Sequence, residues 1–153
     1  SDEVDEAVLN QPDRKLKLIA NFGAGVDHID VQSARQRGVL VTNTPGVATE
    51  DTADMVMALI LGVTRRIPEG MAEMQAGRWA GWAPTSHLGG RVGGRRLGIL
   101  GMGRIGQAVA RRASLGFGMR VIYFNRSAAG PFDGFEAEPS SLGSVSSSEP
   151  ISS

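Results

Sequence analysis

Gly101, Gly103 and Gly106 stand at the spacing G-x-G-x-x-G, and the apolar run Leu97, Ile99, Leu100 leads straight into them. A dinucleotide pyrophosphate asks three things of such a junction. The chain must turn sharply, the backbone must approach the phosphates, and the next helix must close onto the strand. Glycine at the first, second and third positions meets these needs in that order. Amides of the first helical turn lack a partner inside the helix and carry the positive end of its dipole, so they favour an anion. A second glycine turn lies at Phe22-Gly23-Ala24-Gly25-Val26-Asp27, where successive amides can form an anion-binding nest; simple chain reversal is the alternative role. Asn125-Arg126-Ser127 follows a later apolar run, at the place where a ribose would be read. A carboxylate there accepts from a ribose 2′-OH and repels a 2′-phosphate. These three residues include no acid, whereas Arg126 can pair with a phosphate and Ser127 can donate to it. The segment predicts NADP(H) as the preferred cofactor, with NAD(H) still compatible.

Because 21 of the 153 residues are glycine, the triplet alone says little, and its surroundings decide. Behind it Ile105, Ala108, Val109 and Ala113 recur at helical spacing, then Met119 to Phe124 is again apolar, giving strand, turn, helix and strand in the required order. Upstream, residues 16–20 read as a strand, 31–37 as a helix closed by Gly38, and 39–43 as a strand broken by Pro45. Asp27 and Asp30 read as caps of that helix. The longest helix starts at Thr49, with Glu50 and Asp51 where the dipole favours acids. Val56, Leu59, Ile60 and Val63 predict its buried face, and Pro68 bends or restarts it. The fold class is α/β.

Sixteen basic and sixteen acidic residues balance, so no net field selects nucleic acid or an anionic membrane. With no cysteine there is no disulfide, thiolate catalysis or cysteine metal site, and no apolar stretch is long enough to span a bilayer. A soluble, cytoplasmic protein is expected.

Four blocks, L-K-L-I-A-N-F-G-A-G-V-D-H-I-D, G-V-L-V-T-N-T-P-G, T-A-D-M-V-M-A-L-I-L-G-V-T-R-R-I-P-E-G and L-G-I-L-G-M-G-R-I-G-Q-A-V-A-R-R-A, resemble the D-isomer-specific 2-hydroxyacid dehydrogenases over about residues 14–127. A-G-R-W-A-G-W and F-N-R-S resemble the glyoxylate and hydroxypyruvate reductase branch. The resemblance implies a Rossmann-like, doubly wound parallel sheet, present in part, joined to the end of a flavodoxin-like substrate domain. On that reading residues 1–46 close the substrate domain and 47–153 form the first half of the NAD(P)-binding domain, with the tail from about residue 128 poorly ordered.

The implied reaction is reduction of a 2-oxo acid by a nicotinamide cofactor, with substrate carboxylate on the amides of Ala24 and Gly25. The backbone at Arg104 and Ile105 would meet the pyrophosphate, and Trp82 would reach across a homodimer interface; local burial is the alternative for that ring. The family's acid–base histidine, its glutamate and its arginine have no match, so the chain is expected to be a fragment without turnover of its own. His28 reads as structural and His87 is assigned nothing, so no catalytic residue is named.

One departure is an extra residue in R-R-A-S-L-G-F-G-M, placed in a turn at Leu115 and Gly116. The tail admits two readings: Glu138 as the catalytic glutamate after a deletion, or, preferred, a diverged next helix and strand interrupted by Pro150. A dinucleotide-sensing corepressor and a chain without stable fold are the competing classes.

Overall fold

A computed structural model describes residues 3–11, 15–127 and 129–146. The chain forms two compact units, Ser1–Ala48 and Thr49–Ser153.

The first unit runs α1 (Glu6–Leu9), β1 (Leu18–Ala20), α2 (Val31–Gln36) and β2 (Leu40–Thr42). β1 and β2 pair in parallel with Leu18 opposite Leu40, and α2 is the crossover that parallel neighbours require. Leu9, Ala34 and Val39 are buried together, with Val4, Ile19 and Val41 packed against them. Asp30 caps α2, its carboxylate accepting from the Ser33 amide at 2.9 Å. That hydrogen bond holds the Asp30 pKa below the ordinary aspartate value. Asp27 does not share the capping role. Gly38 continues past the helix end at φ +68°, the left-handed position glycine tolerates best.

The second unit runs α3 (Thr49–Thr64), α4 (Ile67–Gln75), β3 (Arg96–Leu100), α5 (Arg104–Phe117), β4 (Arg120–Phe124), β5 (Ala137–Pro139) and α6 (Leu142–Ser146). Its sheet has the order β3-β4-β5 with both pairs parallel, Leu100 opposite Phe124 and Tyr123 opposite Pro139. Ala53 and Met57 of α3 meet Ala108, Val109 and Ala113 of α5 in the main core. Val56 and Ile60 pack against that core as expected, but Leu59 and Val63 stand 59% and 72% exposed. The small side chain of Ala53 and the alanines of α5 fix which face turns inward. Arg112 holds the rotation, with Nε 2.7 Å from Asp54 Oδ1 and Nη2 2.8 Å from Glu50 Oε2. Its hydrogen bonds to Glu50, then to Asp54, raise its pKa further above the ordinary arginine value.

Pro68 sits in the first turn of α4, so the helix restarts there, after Arg66 turns the chain at φ +55°. Leu115 and Gly116, expected in a turn, are helical within α5, and Gly118 turns the chain instead at φ +59°. β4 follows at once, pairing with β3 from Arg96 opposite Arg120 to Leu100 opposite Phe124.

Among the described residues between β4 and β5, 125–127 and 129–136, none is helical. Tyr123 anchors the crossover: its hydroxyl donates to the Ala129 carbonyl at 2.9 Å, and its ring meets Phe132 edge-on at 5.5 Å. Phe132 in turn stacks on Phe135 at 5.1 Å. The stretch after residue 128 thus carries a strand and a short helix among the described residues. α6 occupies the place of the diverged helix in the preferred tail reading, while Pro150 lies outside the described residues. Glu138, exposed on β5, pairs across to Ile122. No helix among the described residues is long and apolar enough to cross a membrane.

Candidate nucleotide-binding site

β3 ends where Gly101 turns at φ +99°, its amide donating to the Phe124 carbonyl at 2.9 Å. An L-residue would be strained in that conformation. Met102 follows with its side chain buried at 2% exposure. Gly103 is extended at φ −78° and precedes α5 with no side chain capping the helix. A Cβ built on Gly103 would meet nothing within 4 Å, so this face of the turn is open. At Gly106 the reverse holds: a Cβ would lie 2.2 Å from the Gly101 carbonyl oxygen. Helix and turn touch there backbone to backbone. A tight turn, an open approach at Gly103 and uncapped amides at the start of α5 fit a pyrophosphate.

Two carboxamides that the sequence reading did not connect to this turn hold it. Gln107 Nε2 donates to the Met102 carbonyl at 3.1 Å. Asn125 Oδ1 accepts from the Met102 amide at 3.3 Å, while Asn125 Nδ2 donates to the Ser127 carbonyl at 3.0 Å. Asn125 is therefore half-buried and committed to backbone, whereas Arg126 and Ser127 are exposed directly after it. Arg104 and Ile105 are exposed in the first turn of α5. Arg104 also lines a cavity of about 630 Å³ with Gln107, Arg111, Asp133 and Phe135. A carboxamide one turn into the helix was the available signal for Gln107.

The turn carrying Ala24 and Gly25 belongs to the first unit. Asn21 Nδ2 donates to the carbonyls of Gly23 at 3.1 Å and Gly25 at 2.9 Å, and Asn43 Nδ2 donates to that of Ala24 at 2.8 Å. With these carbonyls tied back, the turn is ordered around its exposed residues Ala24 and Gly25. His28 Nε2 lies 3.1 Å from Asn21 Oδ1, so its ring steadies the asparagine, as a structural role demands. Trp79 and Trp82 are 57% and 85% exposed in the loop after α4; Trp82 does not bury within its own unit. His87 forms an ion pair when protonated, its Nε2 2.8 Å from Glu73 Oε2.

A parallel strand, glycine turn and helix of this geometry define a dinucleotide-binding α/β protein. Residues 57–148 match the family model for the D-isomer specific 2-hydroxyacid dehydrogenase, NAD binding domain. The chain belongs to that family. It is 50% identical over 132 residues to the glyoxylate reductase of Thermococcus litoralis, covering 83% of this chain and 39% of the relative. Among solved structures, a Thermus thermophilus protein is 49% identical with a TM-score of 0.78, covering 85% of this chain and 40% of the other. The D-lactate dehydrogenase of Aquifex aeolicus, complexed with NAD and lactic acid, is 28% identical with a TM-score of 0.76, covering 94% and 42%. The chain thus spans about two fifths of the length of these relatives.

Proposed function

We propose that this chain is the nucleotide-binding part of a reductase that converts small 2-oxo acids, of the glyoxylate and hydroxypyruvate kind, to D-2-hydroxy acids with NADP(H). The observation that carries the reading is the turn at Gly101–Gly106, open at Gly103 and closed at Gly106. When bound, the nicotinamide would supply the hydride for the carbonyl carbon. The chain's own part is to bind and orient. Amides at Gly103, Arg104, Ile105 and Gly106 receive the pyrophosphate, and Arg126 and Ser127 receive the ribose 2′-phosphate, beside Asn125. Ala24 and Gly25 offer amides to the substrate carboxylate. The working protein is a homodimer of the cytoplasm. The exposed Trp82 ring and the apolar stripe Met55, Leu59 and Val63 on α3 support a second copy as the covering partner.

Calorimetric titration of NADPH and NADH into the chain tests the cofactor assignment. NADPH is expected to bind more tightly, and Arg126→Ala to lower its affinity roughly ten- to a hundredfold, the equivalent of a charge-assisted hydrogen bond, while leaving NADH unchanged. Tighter NADH binding by the unaltered chain rejects the preference.

A further inference from the structure

One residue at the centre of the glycine turn, Met102, is held as in a clamp by side chains at both its amide and its carbonyl, the amide by Asn125 and the carbonyl by Gln107. Its own side chain is buried against Ala110, Val121 and Tyr123. Glycine on either side leaves this stretch with more conformational freedom than any other residue type would. A turn already fastened loses less of that freedom when a ligand arrives, and its amides stay aimed. We propose that Gln107 and Asn125 are positioning residues that pre-set the glycine turn for a pyrophosphate; this rests on the nucleotide-binding reading above.

The two fasteners act from different elements. Gln107 reaches back from the first turns of α5, and Asn125 reaches across from the end of β4. Asn125 has a further consequence. Its Nδ2 is held by the Ser127 carbonyl, which orients the carboxamide so that the oxygen faces Met102. One side chain therefore couples the phosphate turn to the segment that carries Arg126 and Ser127. Loss of Asn125 should weaken every nucleotide that has a pyrophosphate, whereas loss of Arg126 should weaken only those with a 2′-phosphate.

The test uses the full 153-residue chain, two neutral replacements of similar size, Gln107→Met and Asn125→Leu, their double variant, and Asn125→Asp, which keeps the acceptor. ADP, NADH and NADPH affinities are measured by calorimetry, the Met102 amide by hydrogen exchange in NMR spectra, and folding by thermal melting. Gln107 is solvent-exposed, so Gln107→Met should melt as the unaltered chain does. Each neutral variant is expected to weaken all three nucleotides alike, by roughly three- to tenfold, the range of one hydrogen bond. Asn125→Leu should also speed Met102 exchange, and Asn125→Asp should keep it slow while weakening NADPH more than NADH. Because both side chains hold one peptide residue, the double variant should lose less than the product of the single losses. If the unaltered chain binds ADP and both neutral variants bind it equally well, the clamp is overturned. If the folded, unaltered chain binds no nucleotide, the functional reading itself fails and the clamp goes with it.

Discussion

A single methyl group separates the roles of Gly103 and Gly106. At Gly103 the backbone is one any residue adopts and the added carbon would meet empty space. Gly103→Ala should therefore melt within about half a kilocalorie of the unaltered chain, as neutral surface changes do, yet lose nucleotide affinity because the methyl occupies the approach to the turn. At Gly106 the same carbon lands on the Gly101 carbonyl, so the helix must move off the turn. Gly106→Ala should destabilise the protein by roughly 1–3 kcal/mol, as overpacking does, and lose binding as a consequence. Denaturant unfolding and calorimetry on both variants check the contrast; equal stability of the two would remove the physical basis for assigning the glycines separate tasks. The spacing of these glycines is legible in the sequence because a sharp turn, an open approach and a close helix contact each exclude a side chain at a fixed step along the chain. The fasteners Gln107 and Asn125 are not legible in that way. A carboxamide's partners depend on which strand end and which helix turn meet in space, and Asn125 read on its own shows only the lack of an acid.

At the scale of elements, the alternation of strand, turn, helix and strand can be read from the chain, while the face that each helix buries cannot always be. α3 is apolar on several sides, with Met55, Val56, Met57, Leu59, Ile60 and Val63, so more than one stripe satisfies helical spacing. The alanines of α5 and the reach of Arg112 choose between them, and both are tertiary facts. Met57→Ala should accordingly cost about 2–4 kcal/mol, whereas Leu59→Ser should change monomer stability by less than about 0.5 kcal/mol, measured by denaturant unfolding. Gly98 shows a similar dependence on tertiary placement. It lies within β3 because α6 crosses there, and a Cβ would come 2.9 Å from the Val145 carbonyl. The cap of α2 is legible, and it makes a pH prediction. The Asp30 carboxylate is stabilised in the folded state by the Ser33 amide, so its pKa is depressed. Its contribution is present above the unfolded aspartate value and disappears as pH falls through the folded one. Asp30→Asn should flatten the acid limb of the unfolding curve; an unchanged limb would show that the cap does not contribute.

At the scale of the whole molecule, two properties follow from what the second unit leaves outside and what it gathers inside. Leu59, Val63 and Trp82 are too exposed and too apolar to be accounted for by the unit's own core, which is why a second copy is the proposed cover. Sedimentation equilibrium should give twice the 16.1 kDa chain mass, and Leu59→Asp with Trp82→Ala should return it to one. The glycine turn and the segment Asn125–Ser127, by contrast, both lie within this one unit, Thr49–Ser153, so nucleotide binding should stabilise that unit directly. A ligand that binds only the folded form adds about 2.7 kcal/mol to the unfolding free energy at a hundredfold excess over its Kd. For a unit of this size the shift in Tm is roughly ten degrees or more. NADPH should produce that shift in the unaltered chain and lose it in Gly103→Ala, whose unliganded Tm stays in place. A saturating concentration that leaves both curves superimposed would mean that the opening at Gly103 receives no phosphate, whatever the strand order around it.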